Sequence, residues 1–334
     1  MKTIRRHNRL AAALVCALAF TLTLGCATDP TGRTELTMTQ KPEPAVAQEQ
    51  PGVAKIGQAG WAGAKRRVKL TNGVTIAYVE MGNPAGRPVL LVHGYTDSSR
   101  SWSLPAAYLA NTYRLIAVDL RGHGASSRPE RGYTIPDMVD DMRLLLDHLK
   151  IDKVDFVGHS LGSIIGQVFA QHHGDRLRKL VLVSSALSAA KATAPGSWLS
   201  DNVQALTDPV GENSKFIGEW LTNPTPVDPD FAARVRGETC AVPTRIWRAV
   251  LLELQTAEYG LLSATITAPT LILWGGQDPL FSAADQQALR KAIKGSEYVA
   301  FDKLGHNLQW EDPAGVAALI ARFLNCRLAG HVHT

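Results

Sequence analysis

The sequence predicts an α/β fold, a mostly parallel eight-stranded sheet with helices on both faces and an inserted helical cap. From about residue 66 onward, short apolar runs alternate with amphipathic stretches, which is typical of parallel strands joined by helices. Most of the later runs are rich in Val, Ile and Leu, as expected for strands buried on both faces. The stretch 186–267 breaks this alternation because it has no strand-like run.

The sheet is predicted to open with an antiparallel hairpin. Strands at 67–70 and 74–80 are separated by Thr71-Asn72-Gly73, and Asn-Gly is a hairpin turn signal. Six further strands are predicted, at 88–92, 114–118, 154–157, 180–183, 270–274 and 297–301. Between them a helix is predicted to begin at Thr134, where Asp137 completes a capping pattern, and to end near Leu149.

The insertion at about 186–267 is interpreted as a helical cap. It follows the sixth predicted strand, where it would cover the carboxyl ends of the strands, the edge at which ligands bind in open α/β sheets. We expect most of its aromatic side chains to pack the cap onto the body and one or two to line a substrate pocket. These aromatic residues are Trp198, Phe216, Trp220, Phe231, Trp247 and Tyr259.

The first 25 residues resemble an export signal. Four basic residues precede an uncharged stretch, 10–24, that is too short to span a membrane. The stretch is followed by Gly25-Cys26, a pattern similar to a bacterial lipoprotein signal, which predicts lipidation of Cys26 and a membrane-anchored periplasmic or cell-surface protein. Ordinary cleavage near Ala27, giving a periplasmic or secreted protein, is the alternative.

Residues 26–65 are predicted to form a flexible tether, 66–326 the folded domain and 327–334 a tail. The tether is rich in Thr, Pro, Gln, Gly and Ala, which cannot build a core. Cleavage of residues 1–25 would remove four of the 35 basic residues and none of the 30 acidic ones, so the mature protein would have a net charge of about +1. Without a basic stripe, no nucleic-acid partner is predicted. Cys240 and Cys326 either pair in an oxidising compartment or remain free.

A serine between two glycines is the strongest chemical signal in the chain. The segment Gly158-His159-Ser160-Leu161-Gly162 follows the predicted strand 154–157 and precedes an apolar helix. In such a tight turn the serine adopts a strained backbone conformation that leaves its hydroxyl exposed. Ser160 is therefore a candidate nucleophile for acyl transfer.

A serine hydroxyl needs a base to take its proton and an acid to orient that base. Asp278 follows the predicted strand 270–274 in the segment Gly275-Gly276-Gln277-Asp278-Pro279, which places it at the carboxyl edge of the sheet. His306 follows the last predicted strand. The order Ser160, Asp278, His306 is that of the α/β-hydrolases.

From about residue 68 to 324 the chain resembles the α/β-hydrolase superfamily, in its serine esterase, lactonase and haloperoxidase-like branch. Five segments carry the resemblance, at 91–95, 119–126, 158–162, 275–279 and 305–306. The resemblance implies that Ser160 is the nucleophile, His306 the general base and acid, and Asp278 the group that sets its tautomer.

The oxyanion hole would be formed by the backbone N–H groups of Tyr95 and Leu161. His93 is interpreted as bracing its loop by a hydrogen bond. The charged segment Asp119, Arg121 and His123 is interpreted as structural. No cofactor and no metal site is predicted, because neither the adjacent His172 and His173 nor the terminal histidines have the spacing of a zinc site.

The leading hypothesis is an exported serine hydrolase that cleaves a small-to-medium apolar carboxylic ester or lactone through an acyl-enzyme. Epoxide hydrolases and haloalkane dehalogenases of the superfamily carry aspartate at the position of Ser160. A C–C bond hydrolase, a haloperoxidase or perhydrolase-like enzyme, and a small-molecule sensor on the same scaffold stay as alternatives. Amide and thioester substrates and the oligomeric state are left open.

Overall fold

A twisted sheet of nine strands organises the part of the chain that the computed structural model describes, residues 35–38 and 56–326. The strands are β1 (Glu35–Met38), β2 (Lys65–Lys69), β3 (Thr75–Gly82), β4 (Arg87–Val92), β5 (Tyr113–Asp119), β6 (Val154–His159), β7 (Leu177–Val183), β8 (Thr270–Gly275) and β9 (Glu297–Phe301). Their order across the sheet is β1-β9-β8-β7-β6-β4-β5-β3-β2. Only β3 pairs antiparallel with its neighbours, β2 and β5, so the other pairs are parallel.

All eight predicted strands are present as β2 to β9, which confirms the predicted fold class. The strand β1 was not predicted. It adds four residues beside β9 at one edge of the sheet, with Glu35 opposite Tyr298. A four-residue segment within a polar stretch carries too little local pattern to reveal a strand, because the pairing joins residues far apart in the sequence.

Helices cover both faces of the sheet. They are α1 (Ser103–Leu109), α2 (Ile135–His148), α3 (Leu161–His172), α4 (Ala190–Thr193), α5 (Trp198–Ala205), α6 (Lys215–Trp220), α7 (Pro229–Cys240), α8 (Thr244–Thr256), α9 (Ala283–Ala292), α10 (Leu308–Glu311) and α11 (Pro313–Asn325). Short 3₁₀ helices span Ser99–Trp102, Gly174–Arg176 and Tyr259–Thr265. At the start of α2, the Thr134 and Asp137 side chains form the predicted capping box.

Side chains that alternate along the strands feed two cores, one on each face. Leu90 and Val92 of β4 point into the core shared with α2, α3 and the cap, while Val89 and Leu91 point into the core under α1 and α11. The insertion between β7 and β8 consists of α4 to α8 and a 3₁₀ helix. Its apolar residues, such as Val203 and Val250, belong to the first of these cores, so the cap is packed as part of the domain.

The folded domain begins before residue 66, which corrects the predicted end of the tether. Trp61 is completely buried in the core under α1 and α11, and its indole N–H donates to Ser99 Oγ at 3.2 Å. Lys65 pairs with the buried Asp119 at 2.8 Å. A single tryptophan does not produce a periodic pattern, so the sequence around Trp61 predicts a tether from its composition alone.

The predicted signal peptide 1–25, Cys26, most of the tether and the tail 327–334 lie outside the described residues. Cys240 is a buried free thiol, so it does not pair with Cys326. Within the described ranges, no helix is long and apolar enough to cross a membrane.

Candidate active site

Ser160 occupies a strained turn between β6 and α3. Its backbone has φ 50° and ψ −118°, a combination in which L-residues pay a steric cost. The turn is held from both sides, because Ser160 N–H donates to the Val183 carbonyl of β7 and Ser160 O accepts from the N–H of Ile164. The strain presents the serine at the carboxyl edge of the sheet.

The two glycines of the turn are required by close packing. A Cβ on Gly158 would lie 2.6 Å from Ser163 N, and a Cβ on Gly162 would lie 2.6 Å from the His93 carbonyl oxygen and overlap that of Val92. These neighbours are backbone atoms, which cannot rotate away. Strand β6 and helix α3 therefore close around Ser160 only with glycine at both positions.

Asp278 and His306 form a hydrogen-bonded pair at the same edge. His306 Nδ1 lies 2.9 Å from Asp278 Oδ2, and the Asp278 side chain is completely buried. A carboxylate only accepts hydrogen bonds, so Nδ1 carries the proton and Nε2 has a lone pair available for a substrate or nucleophile proton. The other carboxylate oxygen, Oδ1, accepts from the N–H groups of Leu280 and Phe281. The acid is thereby fixed in place.

The loop that carries His306 is tied to the turn that carries Ser160. The His306 carbonyl oxygen accepts from His159 Nε2 at 3.0 Å and from Ser184 Oγ at 2.6 Å. His159 precedes the serine directly, so one imidazole links the candidate nucleophile to the candidate base. Because a carbonyl cannot donate, the His159 proton resides on Nε2.

Glu311 connects the same loop to the cap, a role that sequence reasoning missed. Its Oε1 accepts from Gly305 N–H at 2.8 Å, and its Oε2 accepts from the backbone N–H and hydroxyl of Thr225 at 3.2 and 2.7 Å. Asn307 Nδ2 also donates to Asn223 Oδ1 at 3.0 Å. Burial raises the Glu311 pKa, more than its hydrogen bonds and His306 lower it. The cap segment 223–225 therefore braces the loop around His306.

A cavity of about 740 Å³ opens over these residues, here called the Ser160 cavity. It is lined by Ser160, Asp278 and His306 from the body and by several aromatic and aliphatic side chains. The apolar part of its wall includes Trp198, Leu199, Trp220, Leu221, Pro224, Pro279, Leu280 and Trp310. Two of the cap aromatics, Trp198 and Trp220, face the cavity, while Phe216 and Trp247 pack beneath Trp220.

The two residues predicted for the oxyanion hole flank the serine. Leu161 is the first residue of α3, where a helix N–H has no intrahelical acceptor. Tyr95 lines the Ser160 cavity, and its hydroxyl donates to the Trp247 carbonyl at 2.6 Å, which anchors the loop after β4 to α8. The role of both amides in stabilising an oxyanion stays a prediction.

The remaining polar residues of the sequence motifs lie in the body. His93 Nε2 accepts from Leu120 N–H and its Nδ1 faces the Gly94 carbonyl at 2.8 Å, so the predicted loop brace is present. Asp119 accepts from the N–H groups of Ser99 and Ala125 and pairs with Lys65. These groups hold loops together.

Arg121 forms a buried two-point pair with Asp141 at 2.6 and 2.7 Å. His123 is completely buried and stacks edge-on against His93. Neither residue lines the Ser160 cavity, in agreement with the structural interpretation of this segment.

Residues 87–313 match the family described as alpha/beta hydrolase fold, and the chain belongs to this family. It is 34% identical over 276 residues to a soluble epoxide hydrolase from a Corynebacterium species, covering 76% of this chain and 95% of that protein. It is 29% identical over 226 residues to 3-oxoadipate enol-lactonase 2 of Acinetobacter baylyi, covering 66% and 82% of the two chains. Among solved structures, a thermophilic esterase from Thermogutta terrifontis superposes with a TM-score of 0.65 at 25% identity, covering 78% of this chain and 97% of that one.

Proposed function

We propose that this hydrolase cleaves a carboxylic ester or lactone through an acyl-enzyme formed on Ser160. The observation that carries the proposal is the Asp278–His306 hydrogen bond beside a strained serine in one cavity. The enol-lactonase and esterase relatives are consistent with it.

The chemistry follows from the proton positions. Nε2 of His306 takes the Ser160 proton as Oγ attacks the carbonyl carbon, and the buried Asp278 carboxylate stabilises the resulting imidazolium. The oxyanion that develops is held by the N–H groups of Tyr95 and Leu161. His306 then protonates the leaving alcohol, and a water molecule, activated by the same Nε2, hydrolyses the acyl-enzyme.

Similarity to an epoxide hydrolase raises a second reaction, which Ser160 disfavours. Attack of a carboxylate on an epoxide gives an ester, which water can hydrolyse at its carbonyl carbon. Attack of a serine hydroxyl would give an ether with no carbonyl, and the enzyme would be trapped after one turnover. A serine nucleophile with a histidine base is therefore matched to acyl groups.

The test is covalent labelling of the purified protein with a serine-directed fluorophosphonate, together with turnover of short p-nitrophenyl esters. We expect wild type to label stoichiometrically and Ser160→Ala neither to label nor to turn over. Equal labelling of the two proteins, or labelling of neither, contradicts the proposal. If the protein bound an ester but did not hydrolyse it over multiple turnovers, a small-molecule sensor on this scaffold would be favoured instead.

Export through residues 1–25 and lipidation of Cys26 stay predictions from the sequence. If both occur, the hydrolase acts at a membrane surface, and its substrates are compounds that reach the periplasm or the cell exterior.

A further inference from the structure

Asp97 is a buried acid of the Ser160 cavity that has no part in the acyl-transfer scheme. It lies two residues after Tyr95, and its exposed fraction is 6%. Within the described part of the chain its carboxylate receives one side-chain hydrogen bond, from Ser101 Oγ at a long 3.4 Å. Burial raises the Asp97 pKa to about 7, more than His306, Ser101 and the backbone N–H of Gly94 lower it.

A buried ring nitrogen of His159 lies beside the Asp97 carboxylate. His159 Nδ1 is 3.8 Å from Asp97 Oδ2, too long for a hydrogen bond, and this buried nitrogen has no hydrogen-bond partner among the described residues. Because the His159 proton resides on Nε2, Nδ1 is an acceptor. Burial lowers the His159 pKa well below its usual value, so the ring stays neutral and does not neutralise Asp97.

Burial distinguishes Asp97 from most other polar residues of the cavity wall. Lys191, Glu219 and Gln277 also line the cavity but are exposed to solvent. A buried carboxylate with few hydrogen bonds is costly, and a purely apolar ligand would leave Asp97 with only the long bond from Ser101 and the bond from the Gly94 backbone. A ligand that donates one hydrogen bond would satisfy it. The Asp97 carboxylate lies 3.8 Å from His159, which directly precedes Ser160. The donor group must therefore lie close to the carbonyl that Ser160 would attack.

We propose that Asp97 determines specificity by accepting a hydrogen bond from a hydroxyl group of the substrate, so that the preferred substrates are hydroxyl-bearing esters with an otherwise apolar body. This inference rests on the proposed ester hydrolysis. It changes the expectation of a purely apolar substrate into one of an amphipathic substrate.

The test uses two pairs of esters that differ by a hydroxyl group, which lies on the acyl side of the ester bond in one pair and on the alcohol side in the other. Ethyl butanoate is compared with ethyl 3-hydroxybutanoate, and propyl butanoate with 2-hydroxyethyl butanoate, by pH-stat titration. In at least one pair we expect kcat/KM to be about 10- to 100-fold higher for the hydroxyl-bearing ester, the effect of one hydrogen bond to a charged group.

Variants assign the preference to Asp97. Asp97→Leu removes the acceptor and should abolish the preference while the deoxy esters remain substrates. Asp97→Asn keeps the shape and a weaker acceptor and should reduce the preference several-fold. Glu219→Gln removes another acid of the cavity wall, on the cap, and should keep the wild-type ratio.

Equal kcat/KM within both pairs for wild type overturns the proposal, as does an unchanged ratio in Asp97→Leu. If Asp97→Leu does not fold, as judged by circular dichroism, an unchanged ratio in Asp97→Asn overturns it. Fluorophosphonate labelling without turnover of any of the four esters also counts against it. Absence of both labelling and turnover in wild type is the separate failure of the proposed hydrolysis.

Discussion

At the scale of single residues, the proton on His306 decides what the site can do. The buried Asp278 carboxylate accepts from His306 Nδ1 and from two backbone N–H groups, so its position and its role as acceptor are both set by the fold. Nε2 is left unprotonated in the neutral ring. A base with its lone pair on the cavity side is what serine activation requires.

Asp278→Asn tests this dependence. An amide can donate to Nδ1 and stabilise the wrong tautomer, so we expect kcat for the best ester to fall by about 10⁴-fold. The measurement is steady-state turnover, with folding checked by thermal unfolding. Asp302→Asn is the matched control, because Asp302 is an exposed acid in the turn that leads to His306. Turnover of Asp278→Asn within tenfold of wild type would contradict the assignment.

At the scale of elements, the β6–α3 turn is one of the tightly packed parts of the site. Helix α3 starts immediately after Ser160, and Gly162 lies against the backbone at the end of β4. The candidate nucleophile and the Tyr95 loop are thereby held against each other by main-chain contact. Rigid backbone of this kind favours a preorganised site over one assembled on binding.

Gly162→Ala should therefore be strongly destabilising. The added methyl group meets carbonyl oxygens that cannot rotate away, so we expect a loss of at least about 3 kcal/mol in the free energy of unfolding. Chemical denaturation measures it. Gly174→Ala, just beyond the other end of α3, is the control, because a Cβ there meets nothing within 4 Å. A similar loss in the two variants would show that crowding is not the cause.

At the scale of the whole molecule, buried histidines make stability depend on pH. Burial lowers the pKa of His93 to about 3 and that of His123 to about 4. Below pH 6.5 the unfolded chain binds protons on these rings that the folded chain does not bind. The two histidines therefore contribute fully to the free energy of unfolding above pH 6.5, and this contribution is lost progressively as the pH falls. Asp97, whose pKa is raised to about 7, acts with the opposite sign over the same range.

His123→Gln isolates one of these contributions. The free energy of unfolding should depend less steeply on pH between 6 and 4.5, by up to about 1.4 kcal/mol per pH unit, the value for one proton. Urea denaturation at several pH values measures the slope, which is independent of any constant loss of stability. His148→Gln, at an exposed position of α2, should keep the wild-type slope. An unchanged slope in His123→Gln would mean that this ring titrates alike in both states.

Local pattern was sufficient to predict much of this protein. Short apolar runs, most of the later ones rich in Val, Ile and Leu, predicted the strands β2 to β9, and Asn72-Gly73 predicted the hairpin between β2 and β3. The glycine-flanked serine and the chain order of Ser160, Asp278 and His306 led to three side chains that line one cavity. These features can be predicted from the sequence because periodicity, turn chemistry and motif spacing act over short stretches of chain.

The tertiary structure alone decided which distant groups meet. Asp97 and His159 are ordinary residues in the sequence, and they become a pair of poorly satisfied acceptors only when two loops meet over the sheet edge. The Glu311 brace to Thr225 and the burial of Trp61 are likewise contacts across the fold. The sequence by itself determined which side chains are candidates for the reaction. The tertiary structure decided which further polar groups line the cavity, because burial and desolvation depend on everything that packs around a group.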